Sequence, residues 1–68
     1  MTSAIKRLRE EAGLSQVQLA EKVGVHFNTV GNWEDGTTEP KASQVLKLSE
    51  ALGVSAEAVM GLPEQPAA

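Results

Sequence analysis

The sequence predicts an all-α fold of five short helices around a single core. Apolar residues recur three, four or seven positions apart, as one stripe of a helix requires. The striped segments stop at glycines, and Gly13, Gly24 and Gly53 are each followed by an apolar residue, as in a helix-ending turn. No segment shows the alternation of a half-buried strand. At 68 residues the chain has room for one domain, read as 1–62, and the PEQPAA segment 63–68 reads as a flexible tail. Ordering such a chain costs on the order of 100 kcal/mol, so nearly every apolar side chain is needed. Cys is absent, and packing alone must hold the core.

Helix 1 is expected from Ala4 to Ala12, with Ile5, Leu8 and Ala12 inward and Lys6, Arg7, Glu10 and Glu11 outward. Thr2 or Ser3 is free to cap it. Gly13 takes the left-handed stop position and Leu14 the apolar position after it. Ser15 and Gln18 have the spacing of a capping box, which starts helix 2 and carries it to Lys22 or Val23, with Leu19, Ala20 and Val23 inward. Ala20 is small enough for two helices to cross closely, and Gly24 turns the chain with Val25 buried beneath the turn. Helix 3 is expected from His26 or Phe27 to Glu34, with Val30 and Trp33 inward, and Asp35-Gly36 ends it. Pro40 leads into helix 4, whose stripe is Ala42, Val45, Leu48 and Leu52. Ser55 caps a last turn or two, with Glu57 near the positive end of its dipole and Val59, Met60 and Leu62 facing the core.

Six Lys/Arg against nine Asp/Glu leave a net charge of −3 and a pI near 4.9, the wrong sign for simple attraction to nucleic acid. Local placement of charge therefore has to be weighed against the total. No acid–base pair, metal-ligand cluster or Gly-rich phosphate loop stands out, so neither an enzyme nor a cofactor nor a metal is expected. No apolar run is long enough for a membrane span and no signal-peptide pattern is present, which makes the cytoplasm the expected compartment.

With Val30 and Trp33 inward, a period of 3.6 puts Asn28, Asn32 and Asp35 on the opposite side of helix 3, flanked by Gly31. At this point several independent features coincide: Gln16 after the Ser15 cap, small Ala20, Gly24 at the turn, Val30 and Trp33, then Glu34 and Gly36. Together the segments LSQVQLAEKVGV, WEDG and LKLSEALGVS resemble the Cro and phage-repressor type of helix-turn-helix protein over roughly Ala4 to Leu62. The resemblance implies a compact five-helix, lambda-repressor-like (XRE-type) domain with its helix-turn-helix at about 15–35. In that fold helix 2 lies across the DNA backbone and helix 3 enters the major groove. It further implies a regulator of transcription, most simply a repressor, that reads double-stranded DNA and is nucleoid-associated when bound.

The candidate site residues follow. Asn28 and Asn32 each carry an amide able to pair with adenine N6 and N7, and positions matching both contact bases in the family. Phe27 can meet a thymine methyl, or pack on Val23 or on a protein partner. Gln16, with the free N–H groups at the start of helix 2, is placed for a phosphate oxygen, and the family match favours that over simple capping-box polarity. His26 is a weaker cap than the Ser or Thr of relatives and can touch a phosphate, as can Thr29; a solitary His is not read as a metal ligand or catalyst. Lys41 is the best remaining cation for the sugar-phosphate backbone, and Thr37 and Thr38 add neutral hydrogen bonds. Asp35 and Glu39 depart from the family pattern by placing carboxylates where relatives often carry Lys, Arg or Asn. Arg9 and Glu34 match positions that form a partly buried ion pair in similar proteins, a structural role.

The expected function is a homodimer on a palindromic operator, paired through the helix 5 region of Val59, Met60 and Leu62, since no separate oligomerisation segment is apparent. The rival reading is a helix-turn-helix module turned to protein binding, as an adaptor, antirepressor or antitoxin, with Phe27, Glu34, Asp35 and Glu39 meeting a basic partner. The acidic pI favours the rival; Gln16, Asn28 and Asn32 favour DNA.

Overall fold

The computed structural model describes residues 4–61. They form five helices and no strand: α1 (Ala4–Glu11), α2 (Gln16–Val23), α3 (Phe27–Asp35), α4 (Ala42–Leu52) and the single turn α5 (Ala56–Val59). The bounds of α1, α2 and α3 fall within a residue of those expected, because each end is set by local chemistry. At the start of α2 the Gln18 N–H donates to Ser15 Oγ at 3.0 Å, and the Ser15 N–H donates to Gln18 Oε1 at 2.8 Å. At its end Gly24 sits at φ 83, a left-handed conformation that a Cβ would strain. There both the Gly24 and the Val25 N–H donate to the Ala20 carbonyl, at 2.8 and 3.0 Å.

The same return bond recurs three more times. The residue after the glycine donates five positions back in Leu14 to Arg9, Thr37 to Asn32 and Val54 to Ser49. Leu14, Val25 and Val54 are apolar and pack half-buried against the core, so those three turns are anchored to it. Thr37 is polar and exposed, and the segment after α3 runs on into solvent. One repeated turn thus produces three inward corners and one outward loop.

The core comprises Ile5, Leu19, Ala20, Val23, Val30, Trp33, Val45, Leu48 and Val59, with Leu19, Val30 and Leu48 completely enclosed. α2 packs on α3, α4 on α2 and α5, and α1 on α3 and α5. Ala20, on α2, is buried, as expected of a small residue where helices cross.

Three residues expected in the core are exposed instead. Ala12 lies beyond the last residue of α1 and is exposed; Leu14, returned by the Gly13 turn, covers that end instead. Ala42 is exposed because the first turn of α4 stands clear of the core, and burial begins one turn later at Val45. Met60 is 53% exposed, since α5 is one turn long with Val59 inward and the next residue is rotated about 100° away. The suggested caps Thr2 and Ser3, inward Leu62 and the tail 63–68 lie outside the described residues.

Burial this uneven predicts uneven sensitivity. Leu19→Ala empties an enclosed site between helices and should lose about 2–5 kcal/mol of unfolding free energy. Leu46→Ala, at a side chain 60% exposed, should stay within about 0.5 kcal/mol of wild type. Urea unfolding followed by circular dichroism checks both; equal losses would contradict the packing described.

Candidate nucleic-acid interface

α3 is positioned by what it buries. Val30, Trp33 and Glu34, at i, i+3 and i+4, share the inward face. On the outward side Asn28, Asn32 and Asp35 are exposed. Among the described residues the side-chain amides of Asn28 and Asn32 make no hydrogen bond to the protein, so their donors and acceptors are uncommitted. At the start of the helix the Asn28 N–H donates to His26 Nδ1 at 3.1 Å and the Thr29 N–H to the His26 carbonyl at 2.9 Å. His26 is thus the cap, and its ring lies 4.3 Å from that of Phe27 at 30°. Both rings are exposed.

The angle of α3 against α2 is held by a polar cluster behind it. Arg9 Nε donates to Glu34 Oε2 at 2.6 Å and Nη2 to Oε1 at 3.2 Å, a two-point contact between α1 and the end of α3. Its third group, Nη1, donates to the Leu14 carbonyl at 2.9 Å, tying in the turn before α2. Gln16 Nε2, from the first residue of α2, donates to the same Glu34 Oε1 at 3.0 Å. The Glu34 side chain is 5% exposed and that of Arg9 12%. The hydrogen bond to Glu34 raises the Arg9 guanidinium above its ordinary value; burial opposes this, and attraction to Glu34 and Glu10 adds to it. Arg9 therefore stays charged wherever Glu34 needs a counter-charge.

Gln16 is a member of this cluster, which its spacing did not indicate. The inward placement of Glu34 does have a sequence signal, four residues after Val30, but nothing local pairs it with Gln16. Gly31 stands beside Gln16, where an added Cβ would lie 3.8 Å from Nε2. Gln16 therefore borders α3 between the turns that carry Asn28 and Asn32.

The remaining candidates are spread along the chain. Thr29 is half-buried; Thr37, Thr38, Glu39 and Lys41 are exposed on the segment between α3 and α4. Lys41 is the residue before α4, and its N–H donates to Gln44 Oε1 at 2.7 Å. A lysine has no acceptor, so only this half of a capping box can form there. Of the suggested pairing residues Val59 sits in the core, where no partner could reach it; Met60 is exposed and Leu62 is outside the described residues. Among the described residues no helix is long and apolar enough to cross a membrane.

Residues 5–59 match the helix-turn-helix family. Over 53 residues the chain is 42% identical to the cryptic phage CTXphi transcriptional repressor RstR of Vibrio cholerae, covering 78% of this chain and 48% of that protein. Over 60 residues it is 33% identical to the HTH-type transcriptional regulator ImmR of Bacillus subtilis, covering 88% and 47%. The chain thus spans about half the length of these two curated relatives. Among solved structures it resembles the P22 c2 repressor in complex with a synthetic operator, with a TM-score of 0.78 at 32% identity, over 82% of this chain and 85% of that one.

The polar cluster makes its own prediction. Glu34→Ala strands Arg9 behind α3 and should cost about 3 kcal/mol, whereas Arg9→Met/Glu34→Leu replaces the pair by apolar groups of similar size and should be close to neutral. Urea midpoints of the two variants decide this; a double variant as unstable as the single one would mean that the charges themselves are required.

Proposed function

This chain belongs to the helix-turn-helix family, of the Cro and phage-repressor type, and from that premise we propose that it binds double-stranded DNA sequence-specifically and represses transcription by occupying an operator. The observation that carries the proposal is the outward side of α3, where the amides of Asn28 and Asn32 stand uncommitted, one turn apart, on a helix whose other side is locked in the core. In this reading both amides pair with adenine edges and exposed Phe27 meets a thymine methyl. Gln16, His26, Thr29, Thr37 and Lys41 contact the sugar-phosphate backbone. With its Nδ1 engaged by the Asn28 N–H, neutral His26 reaches a phosphate through Nε2–H.

Electrostatics make the recognition selective more than strong. Lys41 is the lone cation in this set, and Asp35 and Glu39 are exposed in the same stretch of chain. Few counterions are then released on binding, and non-specific affinity is low. Two subunits on a palindromic site compensate, with recognition helices ~34 Å apart. Exposed Met60 contributes apolar surface for pairing, and the complex acts in the cytoplasm at the nucleoid.

Selection of binding sites from random duplex DNA should enrich a palindrome with adenine and thymine at the Asn28, Asn32 and Phe27 positions. Asn28→Ala should lose about 1–3 kcal/mol and relax preference at one position per half-site. The log–log slope of affinity against salt should be about −2 to −4 per monomer. No enriched motif at low salt would sink the DNA reading, and a monomer at high micromolar concentration, free and on DNA, would sink the dimer.

A further inference from the structure

We propose that Glu34 is a positioning residue for the DNA backbone contact: by accepting one N–H of the Gln16 carboxamide, it holds the other ready for a phosphate oxygen. This rests on the reading of the chain as a DNA-binding protein. The starting observation is that one oxygen of Glu34 serves two purposes, taking Nη2 of Arg9 at 3.2 Å and Nε2 of Gln16 at 3.0 Å. The carboxylate has little freedom of its own, because Arg9 grips both oxygens and the side chain is buried. It is a fixed acceptor aimed at the first residue of α2.

A carboxylate only accepts, so the Gln16 amide must turn its nitrogen toward Glu34; the flipped amide would set two acceptors against each other. Phosphate oxygens also only accept. A free glutamine offers oxygen or nitrogen with similar ease and is wrongly oriented half the time, whereas Gln16 is committed to the nitrogen edge before DNA arrives. Its second N–H diverges from the first within the amide plane. Beside Nε2 the neighbouring position is Gly31, which has no side chain to block that edge or bond to it. The Gln16 rotamer is likewise settled in the folded protein, so its ordering does not count against binding. Arg9 neutralises Glu34, which lets a carboxylate stand close to the phosphate path without a net repulsive charge.

The test separates positioning from stability by working without Arg9, so that no charge is stranded. Arg9→Met/Glu34→Gln keeps a side-chain oxygen that can accept from Gln16, and Arg9→Met/Glu34→Leu does not. Operator affinity of each is measured with and without Gln16→Ala. The Leu variant should bind about 3- to 10-fold more weakly than the Gln variant, and the gap should close once Gln16→Ala is added. A gap that persists in the Gln16→Ala background, or that follows melting temperature, overturns the proposal. A second measurement needs no variant to fold: in NMR spectra of the free wild-type protein one Gln16 side-chain N–H should be displaced by the carboxylate, and the other should move on titration with operator. A Gln16 amide at ordinary solvent-exposed positions in the wild type overturns it as well. If the wild type selects no operator, the DNA reading fails and takes this inference with it; if it selects one that both variants bind equally, only the role of Glu34 is lost.

Discussion

A carboxylate buried where α1, α2 and α3 meet has to be matched where it lies, and at Glu34 the matching is done by Arg9 and Gln16. Removing the charge from water costs several kcal/mol, which the two-point guanidinium contact offsets with little to spare. Its larger effect is on geometry. A packing in which α3 slid or rotated against α2 would leave the carboxylate unpaired in the interior. The Arg9 bond to the Leu14 carbonyl extends the same constraint to the turn that launches α2.

Around that cluster the fold uses one kind of corner in two ways. Where an apolar residue follows the glycine, as at Leu14, Val25 and Val54, the turn is pinned to the core. Where Thr37 follows, the return bond to Asn32 still closes α3, but the chain leaves the core. The exposed segment from Thr37 to Lys41 and the uncommitted amides of α3 belong to consecutive pieces of chain for this reason. A change of one side chain type at a repeated turn separates scaffold from surface.

The charge distribution bears on mechanism. An acidic chain with one cation in its candidate interface has little long-range attraction for nucleic acid, and the exposed carboxylates of Asp35 and Glu39 reduce it further. In the proposed reading, recognition rests on short-range fit: amides aligned with base edges, a ring against a methyl group, and hydrogen bonds already oriented in the free state. On that reading the rigidity of α3 matters more than in a basic relative, because no reservoir of phosphate attraction compensates for a misplaced amide.

Much of this architecture was legible in the residues themselves. Ser15 with Gln18, Gly24 before Val25, Val30 with Trp33, and Ser55 before the last turn all obey rules that act within a few residues, and the helices begin and end where those rules put them. Burial at helix ends was not legible in the same way. Periodicity says which side of a helix faces in, but not how far the neighbouring helix reaches, and Ala12, Ala42 and Met60 lie past that reach. The least visible feature was the bond that joins Gln16 to Glu34 across 18 positions, on a carboxylate already shared with Arg9 at a separation of 25. Local chemistry specifies helices, caps and turns because its partners are neighbours in the chain. The partners of a buried charge are neighbours only after folding, so the direction in which Gln16 points had to await the packed molecule.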